Sequence, residues 1–283
     1  MAFTDGTSCQ FPRPSTMIGA LQADNRAPVS AIRLARNCQP AHRCICTLQL
    51  MCERTLCAMK IFCLGLPKTG LSSLLSFMFD NGVAAYGKSH TLSKYYYAHR
   101  LADMARFYDQ GEYHCDVPTP FAYEALFERY GSNAKYILST RQDAETWYAS
   151  MLRHNIYAHP VKHKQKRFFG TRFPHGFKGA YTDFYERHNE AVAEFFEKRS
   201  PANFMIMKTG SDFDIDALCS FIGVEPTQAA YPKANVSGTR EETPSDAFKR
   251  RFNGVVQPLY GQICSRLYPD AVLKLRYIKS FIA

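Results

Sequence analysis

The sequence predicts an α/β domain built on a mostly parallel central sheet with helices on both faces. Three observations lead there. Short apolar runs alternate with stretches of helical period from Lys60 onward, the order that builds strand–helix–strand units. The first run passes through a glycine-rich turn directly into the first helix, in KIFCLGLPKTGLSSLLSFMFDNG from Lys60 to Gly82. Apolar residues make up 46% of the 283, enough for a full core. Residues 59–283 therefore read as one domain, and residues 1–58 as a leader of a different character.

Lys60 to Leu66 supplies the first strand. Leu71 to Asp80 supplies the first helix, with Leu71, Leu74, Leu75 and Met78 on one side. Asn81-Gly82 stops it, because both residue types tolerate a left-handed backbone. Leu92 to Tyr108 reads as one helix, whose Tyr95, Tyr96 and Tyr97 are taken as packing. A strand is expected before Cys115-Asp116-Val117-Pro118. Pro120 then opens a helix from Phe121 to Tyr130, and Gly131 ends it. Lys135 to Thr140 is the second strong strand, leading through Arg141 to a helix over Glu145 to His154. A further helix covers Thr182 to Lys198. Ser200-Pro201 breaks it, and Phe204 to Met207 gives another strand. Ile215 to Ile222 is a short helix closed by Gly223. Tyr231 to Pro244 is a loop, and Val255 to Leu267 returns to helix.

Lys and Arg outnumber Asp and Glu by 35 to 25, a formal charge of +10. That charge points to anionic partners without choosing among them. Six of the ten cysteines lie in the leader. Cys63, Cys115, Cys219 and Cys264 sit mostly among apolar neighbours and read as buried free thiols. No run of 18 uncharged apolar residues occurs, so no membrane span is expected. The leader has six arginines, no lysine and three acids. It is open to three readings: a targeting segment, a disordered arm, or sequence upstream of a start at Met59. The expected compartment is the cytoplasm, with organelle targeting by the leader left open.

A conventional phosphate loop reads G-x-x-x-x-G-K-S/T. Here Gly65-Leu66-Pro67-Lys68-Thr69-Gly70-Leu71-Ser72 keeps the outer geometry but places Leu71 where the lysine belongs. Successive backbone N–H groups and the helix start can still cradle a phosphate. Lys68 approaches from another side, suited to a leaving or transferred anionic group. A generic ATPase is disfavoured. The bland alternative is a tight glycine turn with Lys68 in water.

The chain resembles the PAPS-dependent sulfotransferases, especially their small P-loop branch. The matching stretches are LGLPKTGLSSL, then DVPTPFAYEALFERYGSNAKYILSTRQDAETWYASM, then NFMIMKTGSDFDIDALCSFIGVEPTQAAYPKAN. The resemblance implies a P-loop nucleoside-triphosphate-hydrolase-like sulfotransferase fold. It also implies transfer of a sulfonate group from PAPS (3′-phosphoadenylyl sulfate) to an alcohol or amine, with no catalytic metal. By the family motif Lys68 would contact the phosphosulfate and help its bridging oxygen leave. Gly65, Thr69, Gly70, Ser72 and Ser73 would form the cradle. Where the family often has a hydroxyl residue this chain has Leu71, so one side-chain phosphate contact is missing. Arg141 would hold the 3′-phosphate, helped by Ser150 on the next helix, although one residue more separates them than in many relatives. An arginine fork suits phosphate oxygens; the bland alternative is a helix-edge ion pair.

The acceptor must lose a proton as it attacks sulfur, and a carboxylate or a histidine can take it. Asp116 resembles the branch's carboxylate near the acceptor, with a turn cap as the alternative. His90 competes as base or as an orienting group. His114 ranks below both as a candidate base. Residues 153–180 form a basic and aromatic excursion, read as a lid or as a solvated loop. Trp147 and Tyr148 read as helix packing. The expected partner is a small-molecule acceptor, with nucleic acid ranked lower and the oligomeric state open. Two rival readings stand: a nucleotide kinase-like phosphotransferase, and a nonenzymatic anion-binding or nucleic-acid-binding module.

Overall fold

The computed structural model describes residues 59–159, 169–210, 214–225, 242–268 and 277–282. The leader, the centre of the basic excursion and the loop before Pro244 lie outside the described residues.

Five strands form one parallel sheet: β1 (Lys60–Cys63), β2 (Ala85–Tyr86), β3 (Tyr113–His114), β4 (Ala134–Thr140) and β5 (Phe204–Lys208), in the order β2-β3-β1-β4-β5. β1 lies at the centre, pairing Ile61 with Tyr113 on one side and Cys63 with Ile137 on the other. The chain moves to one side of β1 for β2 and β3, and to the other for β4 and β5. Parallel strands bring their carboxyl ends to one edge, and a crevice opens there where the strand order reverses.

Alternation along β1 and β4 divides the core between the two faces. Phe62, Leu64, Tyr136 and Leu138 join one buried cluster. Helices α3 (Leu101–Asp109), α4 (Tyr123–Tyr130), α5 (Ala144–Asn155) and α6 (Lys178–Arg199) contribute to it. Ile61, Cys63, Tyr113, Ile137 and Met207 join the other, together with α1 (Leu71–Asp80) and α7 (Ile215–Ile222). The four described cysteines are free, and three of them are buried. Among the described residues no helix is long and apolar enough to cross a membrane.

The structure corrects three expectations about elements. The single helix over Leu92 to Tyr108 is two, α2 (His90–Tyr97) and α3. Ser89 caps α2 by accepting from the Leu92 N–H, and His99 breaks the run with a left-handed φ of 52°, a conformation that interrupts a right-handed helix. The helix after Pro120 starts as a 3-10 turn over Thr119–Ala122 before α4 begins. The last helix, α8 (Pro244–Leu267), starts well before Val255. Thr243 caps it by accepting from the Asp246 N–H, and Pro244 occupies its first turn. Gly254 and Pro258 argue locally for a later start, and packing of the inner face overrides them.

Candidate active site

Three neighbouring strands deliver the candidate residues to the same edge. β1 runs into the glycine loop, β3 ends two residues before Asp116, and β4 ends one residue before Arg141. Sequence distance of up to 76 residues between Gly65 and Arg141 is thus cancelled by the β3-β1-β4 order.

The glycines of the loop answer to local sterics. A Cβ on Gly65 would stand 2.0 Å from Ser139 Oγ and 2.4 Å from the Ser139 carbonyl oxygen. Gly70 has φ 87° and would put a Cβ 2.7 Å from Thr209 Cγ2, so it fits only a residue without a side chain. Lys68 has no such excuse, yet its φ is 77°. Asp116 likewise has φ 67°. Two non-glycine residues held in the left-handed region at one edge are a costly arrangement of the kind that clusters at functional sites.

The loop is held from every side. Thr69 turns inward, donating from Oγ1 to the Leu66 carbonyl at 2.7 Å and meeting Ser139 Oγ at 2.7 Å. Its hydroxyl braces the loop instead of facing outward. Trp147 donates from Nε1 to the Pro67 carbonyl at 2.8 Å. Arg141 donates from Nε to the Lys68 carbonyl at 2.6 Å, and its own N–H is held by the Tyr185 hydroxyl at 2.7 Å. Buried His188 supports the end of β1. Its Nε2 donates to the Leu64 carbonyl at 2.9 Å, which leaves Nδ1 of the neutral ring to accept from Tyr277 at 3.1 Å. Burial pushes His188 down to about 4, so the ring is neutral at physiological pH.

At the start of α1 the Ser73 and Leu74 N–H groups bond back to the Gly70 carbonyl. The Leu71 and Ser72 N–H groups find no acceptor among the described residues. Gly70 offers no side-chain cap, and the first turn has no acid. Free N–H groups at the positive end of the helix dipole favour an anion. Ser72 is exposed and Ser73 half-buried, whereas Leu71 is buried in the core below.

The charges around this helix start are largely of one sign. Desolvation pushes the Lys68 pKa down, the Arg141 and Arg153 charges push it further, and Asp116 opposes them. Arg141 is lowered by burial and then by Arg153. Among the described residues no ion pair joins Lys68, Arg141 or Arg153 to a carboxylate. Burial raises the Asp116 pKa above the ordinary carboxylate range, against the Val117 N–H, Lys88 and Lys68. The Val117 N–H reaches Asp116 Oδ1 at 2.7 Å, so one carboxylate oxygen caps the turn. His154 faces Lys68 and Lys88. Desolvation and those two charges lower it to about 4, although the side chain is exposed.

Lys68, Asp116 and Arg141 are therefore brought together. Ser150 is buried on α5, three residues before the exposed Arg153. His90 stands exposed in the first turn of α2. Among the described residues none of its contacts joins it to the cluster, whereas Lys88, two residues earlier, reaches Asp116 electrostatically. A family model described as a sulfotransferase domain matches residues 60–240. The chain belongs to the sulfotransferase domain family. The match spans the loop, Asp116 and Arg141 and ends before α8. A comparison with curated proteins returns no match. Membership supports a transferase that moves a sulfonate group.

Sequence reading missed four residues that the structure brings to this edge: Lys88, Arg153, Ser139 and Tyr185. Arg153 was legible only as one charge in the basic excursion. Its position three residues after Ser150, on the same side of a helix, was the available signal. Trp147 packs as expected, but its ring nitrogen also holds the loop. The remaining three carried no local signal.

Proposed function

We propose that this chain transfers a sulfonate group from PAPS to the hydroxyl of a small-molecule acceptor, with an amine as the second acceptor class. The observation that supports this most is the pair of desolvated cations Lys68 and Arg141, with the exposed Arg153 near them and no ion pair to a carboxylate among the described residues, beside the free N–H groups that open α1. A nucleotide with phosphate at two ends supplies the charge that this cluster lacks. PAPS carries an activated sulfonate, which leaves no activation step to the protein.

Each residue then has a task. The N–H groups of Leu71 and Ser72, with the Ser72 and Ser73 hydroxyls, hold the 5′-phosphosulfate. Gly65 and Gly70 let the backbone follow it closely, and Thr69 fixes the loop's shape. Lys68 offsets charge on the departing bridging oxygen. Arg141 and Arg153 take the 3′-phosphate, and Ser150 supports that end of the helix. Asp116 accepts the proton of the acceptor hydroxyl as its oxygen forms the new bond to sulfur. The bond from sulfur to the bridging oxygen breaks, and adenosine 3′,5′-bisphosphate leaves. The raised Asp116 pKa suits this work, since a base nearer the working pH transfers protons more effectively. His90 is kept as a group that orients the acceptor.

Incubation with PAPS carrying labelled sulfur and a panel of alcohols and amines is expected to give a labelled product and the bisphosphate. Calorimetry should show the bisphosphate binding more tightly than ATP. A preference for ATP would move the reading to a phosphotransferase. Failure to bind either nucleotide, with no product, would leave an anion-binding module.

A further inference from the structure

Helix α8 is inverted. Its side facing the domain is polar or small: Asp246, Asn253, Gln257 and Gly261 are buried. Asn253 donates to the Ile156 and Ala158 carbonyls, each at 2.8 Å, and Gln257 to the Asn155 carbonyl at 2.8 Å. Its outward side carries Phe248, Phe252, Val255, Leu259 and Ile263, all exposed, with Phe248 at 62% and Val255 at 69%. At 100° per residue these five fall on one stripe about 80° wide, with Gln257 about 160° and Asn253 about 120° from its centre. Phe248 and Phe252 stack within it, ring centroids 5.9 Å apart. Core packing of the domain does not explain a helix that turns its aromatic and aliphatic residues to water.

We propose that this stripe is the homodimer interface, closed by the same helix of a second copy running antiparallel. Four of the five pair about the point between Val255 and Val256, which is also the middle of α8, and half-buried Val256 at the stripe's flank completes the third pair. A two-fold axis at that point sets Phe248 against Ile263 of the other copy, Phe252 against Leu259, and Val255 against Val256. One patch thus complements itself, which an isologous dimer requires. The five side chains expose roughly 500 Å² per copy, so the pair buries about 1,000 Å² before flanking residues are added, at the threshold of a specific interface. The two Arg251 side chains lie about 13 Å apart along the axis in this register, beyond the Debye length at physiological salt. A membrane surface is the weaker occupant. An interfacial helix sets cations along its polar face. Here that face is turned into the domain, Lys249 is held by Asp246, and Arg250 by Glu242.

The full chain is expected to sediment at twice its monomer mass. Val255→Asp should halve that mass and leave the circular dichroism spectrum and the melting temperature of the monomer unchanged, since the side chain faces water. A charge exchange fixes the register. Phe252→Arg alone and Leu259→Asp alone should each be monomeric, and mixing the two should restore the dimer. A monomeric wild-type chain overturns the proposal, as does a dimer indifferent to Val255→Asp. Failure of the mixed variants to pair overturns the antiparallel register. A monomer that co-sediments with vesicles of anionic phospholipid, and loses that binding in Val255→Asp, assigns the stripe to a membrane instead.

Discussion

Arg141 donates through Nε to the backbone carbonyl of Lys68 at 2.6 Å. The residue at the end of β4 therefore holds the backbone of the loop that follows β1, at the point where Lys68 is forced to a φ of 77°. A guanidinium can do this and still present its outer nitrogens to a ligand, because its donors are arranged as a rigid fork. An ammonium offers no equivalent division of labour.

Replacement of Arg141 tests that division. Arg141→Ala is expected to weaken binding of adenosine 3′,5′-bisphosphate about tenfold to hundredfold, from the loss of charge-assisted hydrogen bonds worth about 1.5–3 kcal/mol. Arg141→Lys keeps the charge and loses the Nε–H that holds the loop. It should recover only part of the affinity. Isothermal calorimetry reads both. Equal affinity in wild type and Arg141→Ala would remove the phosphate contact from the proposal.

Asp116→Asn is expected to lower kcat by about 10²–10⁴, the usual range for a positioned general base. Affinity for the bisphosphate should stay near the wild-type value, since the proposal sets Asp116 toward the acceptor and its charge repels anions. The amide can still accept from the Val117 N–H, so the turn survives. Steady-state kinetics with calorimetry separates the two effects. Undiminished turnover would pass the base to His90 or to an ionised acceptor.

The pH profile follows from the two shifts. The proposed mechanism needs Asp116 deprotonated and Lys68 protonated. Burial raises the first above the ordinary carboxylate value of about 4, and desolvation with neighbouring cations lowers the second below the ordinary lysine value of about 10. Activity should therefore rise with pH later, and fall with pH earlier, than an unperturbed pair would allow. A bound polyanion favours charged Lys68 and pushes its pKa back up. The alkaline limb of kcat should then lie at higher pH than that of kcat/KM. Asp116→Asn should lose the acid limb and keep the alkaline one.

The sequence revealed what depends on local grammar. Strand, glycine turn and helix around Gly65–Gly70 could be read because their periods and breakers lie within a few residues. The boundaries of α1 and α7 were legible for the same reason. The two-residue strands β2 and β3 gave almost no periodic signal. The break at His99 was hidden because neither a glycine nor a proline marks it. At the site, residue types that carry charge in a motif, Lys68 and Arg141, were found. Lys88 and Arg153 were not singled out, because only the folded chain brings the charge of Lys88 to Asp116 and that of Arg153 to Lys68. The inversion of α8 was invisible too, since a hydrophobic stripe at helical spacing ordinarily marks the buried side.

Leu71 poses the last test. It stands where a family hydroxyl is expected, and it is 7% exposed within the cluster that includes Ile61, Leu74 and Met78. Its N–H has no acceptor among the described residues, while its side chain serves the core. Leu71→Ser should therefore act as a core truncation, costing about 2–4 kcal/mol of stability, read as a drop in chemical-denaturation midpoint. The new hydroxyl points down with the side chain it replaces, so affinity for the bisphosphate should not improve. Tighter binding in Leu71→Ser would show that the first turn of α1 can rotate its side chains toward the ligand, and that the leucine costs this chain a phosphate contact.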